Sequence, residues 1–212
     1  MANNPIFKKI LIKDTELAYP RLNQTFRYNS QEQRSEPCSQ TAQGAAWSVS
    51  WTMSAEEAKK LYGELKTHYN ECKTLDRTLP DFGTVFGMKK LDNGLVSFRA
   101  KKNGTNRNGE PNKAPLVIDG EKNDLADKAI WTGSRGTIRV IAFPSKSPQG
   151  EGGISLLLDA VQVTVAEYGD ASGMDDFDTV ETVVNKVESE DPFGLPAAKP
   201  AASADFDDEI PF

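Results

Sequence analysis

Groups on which most enzymes depend are scarce in this sequence. Its 212 residues hold one histidine, His68, and two cysteines, Cys38 and Cys72. Two separated thiols make neither a disulfide framework nor a CxxC pair, and they suit a reducing cytosol. One histidine and two scattered thiols do not supply a zinc site. A serine–histidine triad would have to use His68, which falls in a polar helical stretch and reads more simply as a solvated surface histidine. There is no GxxxxGK[ST] cradle for phosphates, and Gly133-Ser134-Arg135-Gly136 reads as a glycine-flanked turn. No apolar run reaches the roughly 18 residues of a membrane span. Met1-Ala2-Asn3-Asn4-Pro5 lacks the basic flank and apolar stretch of a secretory signal. No cofactor, metal or membrane is expected, and catalysis is the weaker reading.

What is present is an uneven charge. Of 31 acids and 25 bases, 12 acids and two bases lie in Asp170–Phe212. That segment carries −10 within a chain of net charge −6, which leaves +4 on residues 1–169. Like charges in a block repel one another and stay solvated. Pro192 to Ala204 is rich in proline and alanine, a linker composition. The sequence therefore divides into a mildly basic body, 1–169, and a disordered acidic C-terminal tail, 170–212. Asp175, Asp176 and Asp178 sit in that acidic run, where a solvated tail is a far better reading than a magnesium site. A tail of this sign is suited to occupy a cationic groove meant for a polyanion.

With 38% hydrophobic residues, the chain is lean but still globular, and its body reads as mainly β. Asn4 to Lys13 and Leu17 to Leu22 are extended candidates. From Ala45 to Met53, Trp47, Val49, Trp51 and Met53 alternate with Ser48, Ser50 and Thr52, the period of a half-buried strand. Ser54-Ala55-Glu56-Glu57 follows as a capping box. A helix is expected from Ala55 to about Cys72, with Ala58, Leu61, Tyr62 and Leu65 on its apolar face. Thr84–Lys90 and Gly94–Lys101 flank the hairpin signal Asp92-Asn93-Gly94. Further strands are expected at Pro115–Asp119, Gly136–Phe143 and Gly153–Tyr168, with a mobile loop over Ser145–Gly152. There is no internal repeat. Short strands with one capped helix suggest a small barrel or sandwich with a helix at one end.

Bases on the extended segments carry the chemistry. In Gly94–Lys101, Val96, Phe98 and Ala100 alternate with Ser97, Arg99 and Lys101, so burying Phe98 exposes Arg99 and Lys101 together. Lys102 and Arg107 extend the charge into the next loop. In Gly136–Phe143, Arg139 and Phe143 share one face, and Lys146 follows. Rings beside spaced cations suit single-stranded nucleic acid, because bases stack on rings and phosphates pair with Lys or Arg. Phe143 and Tyr19 are the candidate stacking rings. Trp47 and Trp51 read as core, since Ser and Thr on their opposite face are too small to stack a base.

Two resemblances sharpen this reading. Asp205-Phe206-Asp207-Asp208-Glu209-Ile210-Pro211-Phe212 closely resembles the terminal tip of bacterial single-stranded DNA-binding proteins, with Glu209 where Asp is commoner. The body instead resembles the phage-type single-stranded DNA-binding proteins over most of Leu17–Gly169. That resemblance rests on Leu17-Ala18-Tyr19-Pro20-Arg21-Leu22, the strand Trp47–Met53 running into a capped helix, Pro115–Asp119 and the closing Ile154–Val163. It implies an OB-fold, a five-stranded Greek-key barrel with an inserted helix, followed by an acidic tail. The resemblance maps the family's third-strand contacts onto Arg99 and Lys101 and puts Phe143 and Lys146 in the loop after the fourth strand. Together with the residue reading above, it gives as expected DNA contacts Tyr19, Arg21, Arg99, Lys101, Lys102, Arg107, Arg139, Phe143 and Lys146. It also implies single-stranded DNA as partner, replication and repair proteins docking on the tip, and action in the cytoplasm of the infected bacterial host. Monomer and homodimer both remain open. The alternatives are a DNA-repair nuclease or annealing recombinase, and an acidic DNA-mimic inhibitor of a host enzyme.

Overall fold

The computed structural model describes residues 6–167. Its elements in chain order are β1 (Lys8–Glu16), β2 (Ala18–Asn29), β3 (Arg34–Pro37), β4 (Ala46–Met53), α1 (Ala55–Leu75), β5 (Phe82–Val85), β6 (Lys89–Lys90), β7 (Val96–Asn103), β8 (Leu116–Ile118), β9 (Arg135–Lys146) and β10 (Gly152–Val165). The fold is mainly β, a mixed sheet with one helix among the described residues. The hydrogen-bonded path runs β1-β9-β10-β7-β4-β2-β3. Its pairs are antiparallel except at one edge of β10, where β5, β7 and β8 run parallel to it.

Only Leu17 separates β1 from β2, so the run Lys8–Asn29 serves both ends of the path. Its first half pairs with β9 and its second with β4. A register shift between Ile12 and Thr15 bends the run, and Asp14 has a left-handed φ of 45°. The Arg135 guanidinium holds that bend, donating to the Asp14 carboxylate and its backbone carbonyl. Leu17, fully buried, anchors the turn from one partner to the other.

The alternation expected from sequence builds the core. Trp47, Val49 and Trp51 of β4 are buried, as are Phe98 and Ala100 of β7 and Ile138, Val140 and Ala142 of β9. In the register Trp51 lies opposite Phe98, and the two rings stack with centroids 5.7 Å apart. Such a pair adds about 0.5–1.5 kcal/mol beyond its area burial. The capping box forms: Ser54 Oγ accepts from the Glu57 N–H, and the Glu57 carboxylate accepts from the Ser54 N–H. Helix α1 buries Ala58, Leu61, Leu65 and Tyr69 and packs on β5, β9 and β10. Tyr62 is only half-buried and meets Phe82 edge-on.

Several expectations need correction. His68 is not a solvated histidine but is buried on α1, with Nε2 3.2 Å from the Ile6 carbonyl oxygen and 3.7 Å from Cys72 Sγ. The segment preceding β1 covers that helix position, a tertiary contact that local polarity does not reveal. Thr84–Lys90 is two short strands, because the chain turns at Phe86–Met88 and Gly87 takes a φ of 85°. The loop expected over Ser145–Gly152 is shorter. The β9–β10 ladder continues to Lys146 opposite Gly152, and Ser147–Gly150 closes it as a hydrogen-bonded turn. β3 was not anticipated. The acidic segment Asp170–Phe212, with its tip Asp205–Phe212, lies outside the described residues. No helix among the described residues is long and apolar enough to cross a membrane.

Candidate nucleic-acid interface

The outward face of β4 carries small side chains flanked by longer ones on β2 and β7. Across the ladder Arg21 of β2 lies opposite Ser48, and Ser48 lies opposite Lys101 of β7, which meets Leu157 of β10. Serine in the middle of that row leaves a low floor between two long cations. On another rung Ser50 lies between Ala18 and Arg99, with a long cation on one side only. Arg99 Nη2 donates to Ser48 Oγ at 3.1 Å, so its guanidinium leans along the floor rather than away from it.

The groove beside this row has a volume of about 550 Å³, and of β4 it is Ala46 that lines it. Its cations are Arg21, Arg27, Arg99 and Lys101, and its rings are Phe26, Tyr28, Phe86 and Phe143. Among the described residues no carboxylate lines it. Arg21 sits with its guanidinium carbon 5.1 Å from the centre of the Phe26 ring, a cation–π contact that fixes both. Partial burial, and then repulsion from Arg99, lowers the pKa of Arg21 from its ordinary value. Two guanidiniums held close with no acid between them make a site that a phosphate relieves. On the far side, Phe143 lies 6.1 Å from Phe7. Gly87 lines the groove at the turn after β5, where a Cβ would come within 2.8 Å of the Arg99 carbonyl oxygen.

Of the residues singled out in the sequence, the groove gathers Arg21, Arg99, Lys101 and Phe143. Tyr19 belongs to a smaller recess beside it, which shares Arg21 and Phe26 with the groove. The other four lie outside both. Arg139 is on the outward face of β9 but pairs with Asp159, Nε to Oδ2 2.5 Å. Lys102 falls on the opposite side of β7 from Lys101 and is half-buried; burial lowers its pKa, partly offset by Asp159. Lys146 ends β9 and donates to the Thr78 carbonyl oxygen at 2.8 Å. Arg107 is exposed in the turn that Gly109 closes back on Asn106.

Sequence reasoning passed over Phe26, Arg27, Tyr28 and Phe86. Phe26-Arg27-Tyr28 is itself a ring–cation–ring run, a signal that was legible. Phe86 carried none, because its place beside Arg99 depends on the turn at Gly87.

Neither a protein-family model nor a curated relative matches the chain. In fold the chain resembles the phage single-stranded DNA-binding proteins. Among solved structures, it is similar to the single-stranded DNA-binding protein from bacteriophage Enc34 in complex with ssDNA. There the TM-score is 0.51 and the identity 16%, over 75% of this chain and 87% of that one. Also similar is gp2.5, a single-stranded DNA binding protein encoded by bacteriophage T7, with TM-score 0.48 and 14% identity over 84% of this chain and 97% of that one.

Proposed function

We propose that this chain is a non-catalytic single-stranded DNA-binding protein whose groove over β4 and β7 holds the strand. One observation carries the reading: four cations and four aromatic rings line one groove, with no carboxylate among the described residues that line it. Cations in that setting take phosphates, and rings take bases, without regard to sequence. The strand order supports an OB barrel. With Lys8–Asn29 as first strand, β4 second, β7 third, β9 fourth and β10 fifth, neighbours run first, second, third, fifth, fourth and back to the first. Helix α1 is then an insertion between the second and third strands. OB-type barrels present the face of those two strands to oligonucleotides, and here β7 supplies Arg99, Lys101 and Asn103 to the groove and β4 supplies Ala46. The fold similarity to a phage protein solved with ssDNA supports the same reading.

On this reading residues 1–169 coat and protect single strands during phage DNA replication, recombination and repair in the host cytoplasm. Residues 170–212 form an acidic segment that competes with DNA, and the tip Asp205–Phe212 recruits replication and repair proteins. Phe212 offers a ring, Pro211 restricts the backbone before it, and the acids steer the tip to a basic rim.

The test is a titration of labelled oligothymidylate across a salt series. For single strands, log K falls with log salt by about 0.7 per phosphate neutralised. The double variant R99A/K101A is expected to weaken binding and flatten that slope by about 1.4. An unchanged slope removes both residues from the site. With magnesium added, the strand is expected to stay intact; cleavage would favour a nuclease.

A further inference from the structure

Beside the groove, the recess that holds Tyr19 has features that a plain surface fold does not need. Its volume is about 300 Å³, and Tyr19 and Trp131 stand on its rim. Both rings are turned to solvent, Tyr19 72% exposed and Trp131 54%. Large exposed rings cost solubility and are common where a planar group docks.

The frame under these rings is pinned. Tyr19 has a φ of 48°, the left-handed region that favours glycine, and its N–H donates to Thr132 Oγ1 at 3.0 Å. A bulky residue held there signals a constraint imposed by its surroundings. Opposite, the Trp131 N–H donates to the Glu167 carbonyl oxygen at 3.0 Å, and Gly133 N–H donates to the Leu17 carbonyl oxygen. Ser134, fully buried, accepts from the Glu167 N–H. Both rings therefore stand on backbone held by hydrogen bonds that tie the 131–134 turn to Leu17, Tyr19 and Glu167, which lowers the ordering cost of binding.

Continuity says what occupies the recess. Arg21 and Phe26 line both it and the groove, and Arg21 is the one charged residue lining the recess. A single strand alternates phosphates with bases, so a phosphate on Arg21 leaves one base on the groove side and one on the recess side.

We propose that Tyr19 and Trp131 form a second base-stacking subsite, which extends the strand's path past Arg21 and out of the groove. The inference rests on the groove reading above, but names a separate site and separate residues. Asn23 and Gln24, also on the recess wall, supply amides to the edge of the stacked base.

Tryptophan emission tests it in the full-length protein. Of three tryptophans, Trp47 and Trp51 are buried, so only Trp131 is accessible to iodide. Oligothymidylate of about 15 nucleotides, within the ~4–16 that one such fold covers, is expected to quench Trp131 and shield it from iodide. Tyr19→Gly suits the left-handed backbone and removes the ring, and Trp131→Ala keeps the backbone N–H. Each is expected to weaken that strand by about fivefold or more, the lower bound for one stacked base. Each leaves a strand of about 5 nucleotides, confined to the groove, bound as before. The subsite is overturned if the long strand binds, by anisotropy, with Trp131 emission and iodide access unchanged. It is also overturned if the variants weaken both lengths alike. If the unmutated protein binds neither strand, the groove reading falls, and the subsite with it.

Discussion

Gly87 and Gly94 both hold left-handed backbone, with φ of 85° and 80°, but their surroundings differ. A Cβ on Gly87 would press on the Arg99 carbonyl oxygen at 2.8 Å, whereas one on Gly94 would meet nothing within 4 Å. Alanine at either site carries the strain of positive φ, costing about 1 kcal/mol or somewhat more. Only Gly87→Ala also moves the strand that carries Arg99 and Lys101. It is expected to lower affinity for oligothymidylate, while Gly94→Ala lowers stability by a similar amount and leaves affinity unchanged. Parallel urea melts and binding titrations check this, and equal affinities would uncouple the turn from the groove. At this scale the sequence was legible where one strand decides the outcome. Alternation within Val96–Lys101 placed Phe98 inside and Arg99 and Lys101 outside. It could not neutralise Arg139, because the partner Asp159 comes from another strand 20 residues away. Nor could it put Arg21 over Phe26, which requires the bends in β2.

Elements that declare themselves locally were readable, and those held only by a neighbour were not. β4 has an apolar face and an abrupt helix cap, so both its period and its end could be read. β3 is Arg34-Ser35-Glu36-Pro37, with no apolar face; it exists because Phe26–Asn29 offers an edge to pair with. The cap of α1 yields a prediction of its own. Ser54→Ala removes the acceptor for the Glu57 N–H and is expected to cost about 1 kcal/mol in chemical unfolding. Since α1 packs on β5, β9 and β10 and no helix residue lines the groove, DNA affinity is expected to stay unchanged. The Ser54 hydroxyl, and then its N–H, hold the Glu57 carboxyl below its ordinary pKa. That half of the cap is present above the unfolded pKa and is lost as pH falls through the folded one. The gap between Ser54→Ala and the unmutated protein should therefore narrow in acid. A constant gap across that range would leave the hydroxyl–N–H bond as the whole of the cap.

Charge acts on the whole molecule. Residues 1–169 carry +4, and the groove concentrates four cations with no acid among the described residues that line it. Asp170–Phe212 carries −10 on the same chain. On the proposed reading the acidic segment competes with DNA for the groove, and the tether would supply an effective concentration that free polyanions reach only in the millimolar range. Competition of the kind proposed above would lower the measured affinity for DNA by the fraction of time the groove is occupied. Ending the chain after Gly169 is expected to tighten binding of oligothymidylate. Screening sets where the gain appears: the Debye length is about 30 Å at 0.01 M salt and about 10 Å at 0.1 M. The two proteins should differ most at the lower salt and converge as salt rises. Adding residues 170–212 back as a free peptide at micromolar concentration should recover little of the competition, because the tether supplies the concentration. R99A/K101A supplies the internal control, since weakening the groove for DNA weakens it for the acidic segment too. In that background the gain from truncation is expected to shrink. Equal affinity of full-length and truncated proteins at 0.01 M salt would rule out competition for the groove.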